Sequence, residues 1–252
     1  MPRTRRSRGR RVLWWVLGSL AGLLIVAVVG VVIWSQVGVM AAEREPLEAV
    51  RADERITVTD VPAAIVLSPA DGASETGLVF IPGAKVDPWA YAALLAGTVV
   101  ADHVTVVITK PWLNLAFFDP RPLDTFSGLA PGVGTWSVGG HSLGGVRACQ
   151  LADDADGLAL FASYCATDLS DKDLPVLSLA GSEDGLSTPA KITDARSLLP
   201  ADAELVEIDG ASHASFGDYG RQAGDGEPTI GDDDMRAVVT EALGGFAGSL
   251  AP

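Results

Sequence analysis

The chain has 252 residues, 48% hydrophobic and 20% charged. That is enough for one large or two small domains with a packed core, and too apolar for disorder. Six of the 18 basic residues fall in the first eleven, MPRTRRSRGRR, which hold no acid, so the remainder sets 12 basic against 32 acidic side chains, a formal balance of −20; a body that acidic, with no basic groove, argues against a nucleic-acid partner and suits solubility.

After the basic tail, residues 1–12, comes Leu13 to Trp34, LWWVLGSLAGLLIVAVVGVVIW, 22 residues without a charge. At about 1.5 Å per residue, a helix of that length crosses a hydrocarbon layer roughly 30 Å thick. Trp14, Trp15 and Trp34 lie near its ends, where amphipathic rings prefer the interface. Arginines stay on the cytoplasmic side, so the expected topology puts the N-terminus inside and the large domain outside. A cleaved signal peptide is the rival, with VMA at Val39 to Ala41 as a loose cleavage site. The run exceeds the usual 7–15 residues of a signal core, which favours an anchor.

Residues 35–53 read as a juxtamembrane connector with some helical character, and 54–252 as the main domain. RITVTD and AAIVLSP form two β-runs joined near Pro62, a hairpin. GLVFIPG, Gly77 to Gly83, is a buried strand stopped by Pro-Gly. In DPWAYAALLAGTVVAD, Asp87 as N-cap and Pro88 at the first helical position start a helix. HVTVVITK is a strand, and PWLNLAFFDPRPLDTFSGLA a loop with a helix. GTWSVGGH is the next strand, and Leu143 to Asp153 the next helix. GLALFASY, LPVLSLAG and AELVEID supply three more strands, with a helix around Pro189 to Leu199 before the last. DDDMRAVVTEALGGFAGSL is a closing helix with acids in the first turn, where the helix dipole favours them. Apolar strands separated by helices imply an α/β fold with a mainly parallel sheet covered on both faces.

Within SVGGHSLGG, residues 140–144 read G-x-S-x-G at the point where a strand ends and a helix begins. That is the setting of a nucleophile elbow: the serine sits on a sharp, strained turn, and side chains two residues either side would collide with strand and helix. The following helix aims its free N–H groups at the reacting centre. The alternative is a glycine-rich turn with an incidental serine. Two cysteines remain, Cys149 on the helix after Ser142 and Cys165 just past the next strand. An oxidising compartment permits a bridge, and two buried thiols are the other reading.

FIPGAKVDPWAYAAL, VGGHSLGG, LAGSEDGLS and IDGASHASFGDYG followed by GDGEPTI occur in an order that resembles the α/β-hydrolase superfamily, in particular its dienelactone-hydrolase-like branch of small serine hydrolases. The resemblance covers nearly all of Gly77 to Ile230 and excludes the N-terminal segment. A serine hydroxyl needs a base. Of three histidines, His103 opens a strand and reads as structural, and His141 shapes the turn before Ser142. His213 lies in a loop of small residues beyond a strand end, and the superfamily's order of Ser, acid, His points to it. The resemblance puts the acid at Asp184, with Glu183 and Asp168 as rivals. Oxyanion donors are the N–H groups of Leu143 and of Ala84, with Lys85 as the alternative. GDGEPTI is read as a turn ordering the His213 loop.

The expectation is a membrane-anchored extracytoplasmic serine hydrolase that cleaves carboxylic esters through an acyl-enzyme, with Ser142 Oγ within hydrogen-bond reach of His213 Nε2. No metal or organic cofactor is implied. The branch is named for a lactone hydrolase with a cysteine nucleophile, and serine at that position argues for a general carboxylesterase. The elements leave little room for a lid, which favours short acyl chains or exposed polymer esters. A catalytically silent binding module and an acyltransferase with the same triad are the alternatives, and oligomeric state stays open.

Overall fold

A computed structural model describes residues 6–72 and 74–250. The chain forms two compact units that divide between Gly38 and Val39. The first contains helix α1, Arg6–Gln36, longer at both ends than the uncharged run that marks it. Its Gly9–Gln36 segment is long and apolar enough to span a membrane. The first five residues of the basic tail lie outside the described residues.

The second unit opens with α2, Arg44–Ala52, which packs on α3 and β1 and buries Val50 in the core. Strands β1, Ile56–Val61, and β2, Ala64–Pro69, pair antiparallel as the expected hairpin. There follow β3, Thr76–Ile81, α3, Ala92–Ala101, β4, Thr105–Thr109, and a short α4, Asp124–Ser127. Then come β5, Thr135–His141, α5, Leu143–Leu151, β6, Gly157–Phe161, β7, Val176–Gly181, α6, Pro189–Asp194, β8, Glu204–Ile208, and α7, Asp232–Leu250. Asp87 does cap the helix start, accepting from Trp89 N–H, but the turn it opens, Pro88–Tyr91, is 3₁₀ and α-geometry begins at Ala92.

The eight strands form one sheet in the order β1-β2-β4-β3-β5-β6-β7-β8. From β4 to β8 all neighbours are parallel, and β2 joins β4 antiparallel. Side chains alternate between two cores: Leu78 and Phe80 of β3 face the core under α2, α3 and α7, whereas Val79 and Ile81 face the one under α5. The chain runs from β3 to β4 on one side and then to β5 on the other. This reversal makes β3 and β5 the switch point, and a crevice opens beyond their carboxyl ends. The cysteines are bridged, Cys149 of α5 to Cys165 after β6, with Cα atoms 5.6 Å apart.

Candidate active site

Ser142 follows β5 with φ 52° and ψ −122°, a conformation that costs of order 1–3 kcal/mol and persists only where the surroundings impose it. Three things impose it. Its N–H donates to Phe161 O at 3.0 Å, Ser163 Oγ donates to its carbonyl at 2.7 Å, and the flanking backbone is crowded. A Cβ on Gly144 would stand 2.0 Å from Ile81 O, and one on Gly140 would stand 2.5 Å from Gly144 C. Glycine at both positions is therefore a requirement of packing, as the motif implied. The bridge to Cys165 ties α5 to the segment carrying Ser163.

Asp184, past β7, and His213, past β8, meet at the same edge of the sheet. His213 Nδ1 and Asp184 Oδ2 are 2.8 Å apart, with both side chains buried. Asp184 Oδ1 accepts N–H bonds from Leu186 and Ser187, each 2.7 Å. The carboxylate is thus fixed by the turn that follows it, and its remaining oxygen holds the imidazole. Its rivals do neither: Glu183 is exposed, and Asp168 is exposed and accepts from Ser170 N–H and Oγ–H. Among the described residues, the Ser142 hydroxyl makes no hydrogen bond to His213. Catalytic hydrogen bonds of free enzymes are often long and tighten only with substrate.

Leu143, half-buried, begins α5, and Ala84, half-buried, lies in the loop after β3. Among the described residues, neither amide donates within the chain. The alternative donor is spoken for: Lys85 N–H bonds to Asn114 O at 2.8 Å, and Lys85 itself has φ 56°. His103 sits exposed in the turn before β4, away from these groups in the fold.

His141 has a larger part than shaping a turn. It is buried, its ring centroid is 4.5 Å from that of His213, and its Nδ1 is 2.9 Å from Tyr91 Oη. Gly83 N–H donates to the same Tyr91 oxygen, so the phenol links the loop after β3 to the ring of His141. Burial keeps Tyr91 a phenol by raising its pKa beyond the ordinary range. Burial, together with the proximity of His213, holds the His141 pKa well below its usual value and outweighs an opposing contact with the His213 backbone. A neutral ring therefore walls the His213 imidazole.

Sequence reasoning also missed which residue of GDGEPTI acts. Asp225 accepts N–H bonds from Gly185, His213, Ala214 and Gly226 at 2.7–3.1 Å. Partial burial raises its pKa, but these four donors outweigh that and leave it below the usual carboxylate value. One side chain thus clamps the Asp184 loop to the His213 loop. The cue was an aspartate between two glycines; three of its four donors are backbone groups from other loops, which no local pattern reveals.

The sequence matches the alpha/beta hydrolase family over residues 77–237. The chain belongs to that family, and membership supports a hydrolase. No curated protein matches the sequence. Among solved structures, the chain is similar to Est1E from Butyrivibrio proteoclasticus, with 14% identity and a TM-score of 0.53 over 77% of this chain and 98% of that one. It is also similar to MGS-MChE2, an alpha/beta hydrolase enzyme from the metagenome of sediments of the Mar Chica lagoon, Morocco, with 18% identity and a TM-score of 0.50 over 63% of this chain and 90% of that one. At such identities the likeness is one of fold.

Proposed function

We propose that the protein is a membrane-anchored, extracytoplasmic serine hydrolase of carboxylic esters, in the dienelactone-hydrolase-like branch of the superfamily. The observation that carries this reading is the buried His213–Asp184 pair, 2.8 Å between Nδ1 and Oδ2, at the sheet edge where Ser142 stands on its strained turn. Asp184 Oδ2 accepts a hydrogen bond from His213 Nδ1–H, which leaves Nε2 with a lone pair. Nε2 takes the Ser142 proton as Oγ bonds to the ester carbonyl carbon. The oxyanion forms against Leu143 and Ala84 N–H. The C–O bond to the alcohol breaks, His213 returns the proton to the leaving oxygen, and water repeats the sequence to free the acid and Ser142. A serine rather than a cysteine nucleophile favours carboxylesters over lactone-ring cleavage.

Two observations support an uncut anchor. The apolar helix has the length of a membrane span. Met40, inside the candidate cleavage site, pairs with the loop after β3: its N–H donates to Lys85 O at 2.7 Å, and its carbonyl accepts from Asp87 N–H at 2.9 Å. Cleavage after Ala41 would strip that pairing from the domain. The arginine tail then sets the N-terminus in the cytoplasm and the hydrolase outside.

A silent binding module is the second reading, favoured by the missing Ser142–His213 hydrogen bond. A fluorophosphonate probe separates the two. The wild type takes up label and Ser142→Ala does not. Label persisting in the variant refutes Ser142 as nucleophile, and no label in either supports the silent module.

A further inference from the structure

The loop after β4 carries an apolar surface that the reaction above does not use. Among the described residues from Val39 onward, four large hydrophobic side chains are exposed, and three share this loop: Trp112 at 54%, Phe117 at 73% and Phe118 at 44%. Pro111 to Phe118 holds no charge. The charges that flank it are neutralised, Lys110 by Asp60 and Asp119 by Arg121. Solitary exposed apolar residues need no explanation, but three on one uncharged loop mark an interaction surface.

The loop's neighbours say what it meets. β4 runs parallel to β3 and next to it, so the loop leaves the sheet at the edge where Ser142, Asp184 and His213 gather. Lys85 joins three segments through its backbone: its N–H donates to Asn114 O within the aromatic loop, its carbonyl accepts from Met40 N–H, and it follows Ala84 in the chain. From Gln36, the last residue of the apolar helix, to Met40 is four residues. Four residues of extended chain reach at most about 14 Å. The segment that pairs with Lys85, and through it the aromatic loop, thus follows the apolar helix in the chain by only four residues. Tryptophan and phenylalanine are side chains that partition into the membrane–water interface.

We propose that Trp112, Phe117 and Phe118 seat in the outer face of the membrane that holds the anchor, and that the substrate class is acyl esters of lipids resident in that membrane. This rests on the serine-hydrolase reading. It replaces the short or polymeric ester suggested by element spacing alone with a bilayer-resident one. Water and the lipid ester yield a fatty acid and the freed lipid alcohol. The strongly acidic domain repels anionic headgroups, so the loop engages a zwitterionic surface.

The test uses the full chain in phosphatidylcholine proteoliposomes. Rates are measured on a fluorogenic long-chain ester within the bilayer and on soluble p-nitrophenyl acetate. The wild type cleaves the bilayer ester, and in Trp112→Ser/Phe117→Ser/Phe118→Ser the ratio of bilayer to soluble rate falls at least fivefold. A smaller fall, or a wild type that cleaves only the soluble ester, overturns the lipid proposal and leaves the hydrolase reading intact. Cleavage of neither ester, with no fluorophosphonate uptake by Ser142, removes the hydrolase reading and the proposal together. A readout free of catalysis is quenching by brominated phosphatidylcholine: wild type loses more emission than Trp112→Phe, and equal losses overturn the proposal.

Discussion

The two sides of the candidate site are held by different physics. On the Ser142 side, glycines packed against Ile81 and the Cys149–Cys165 bridge hold a strained turn, and among the described residues the amides of Leu143 and Ala84 have no acceptor. On the His213 side the reverse holds: Asp184 has both oxygens engaged and Asp225 accepts four backbone N–H groups. In the proposed mechanism the nucleophile and the oxyanion site keep their bonding capacity for the substrate, which fixing by sterics and a covalent link allows. The proposed base is oriented and kept in one tautomer, which its hydrogen bonds provide. On that proposal the contrast accounts for a closed His213–Asp184 pair beside a Ser142 hydroxyl that makes no hydrogen bond to His213.

Substitutions on each side should break this contrast in distinct ways. The largest effect is expected from Asp184→Asn, which lets the wrong imidazole tautomer form; kcat for ester hydrolysis should fall about 10⁴-fold with the urea midpoint nearly kept. Retained kcat would mean that the acid lies elsewhere. On the other side, Cys149→Ala/Cys165→Ala opens a link between residues 16 apart in sequence and should cost about 3 kcal/mol of unfolding free energy in a urea titration. Asp225→Ala leaves four N–H groups without their acceptor. It should cost about 2 kcal/mol and lower kcat roughly 10- to 100-fold, as both loops drift from register. A stability loss with unchanged kcat would show that the clamp positions neither loop.

The smallest effect concerns His141. Its folded pKa is depressed, so the unfolded chain binds a proton that the folded chain refuses. The sign follows: stability is full above the unfolded value near 6.5 and falls as pH drops below it, by up to about 1.4 kcal/mol per pH unit. In His141→Asn the slope of unfolding free energy against pH between about 6.5 and 5 should flatten by that amount. Parallel slopes would contradict a buried neutral ring.

Much of this was legible in the chain. The parallel strands announce themselves as apolar runs ended by glycine or proline, because a strand covered on both faces has no polar side to show. GHSLG is legible because its glycines answer a local steric demand. Tyr91 and the clamping role of Asp225 were not, since each acts on groups that only the folded sheet brings near. The aromatic loop was equally opaque: Trp112, Phe117 and Phe118 look like core residues in a string, and exposure is a property of the finished surface. Lys85 shows the same limit, because what excludes its amide is a carbonyl 29 positions on, that of Asn114.

The central claim is that Ser142 and His213 act as one proton-transferring unit, and a double-mutant cycle on ester hydrolysis tests it most directly. Ser142→Ala and His213→Ala should each lower kcat by about 10⁴-fold or more, and the double variant should fall no further, because neither residue works without the other. Losses that multiply, or a His213→Ala enzyme within tenfold of wild type, would contradict it.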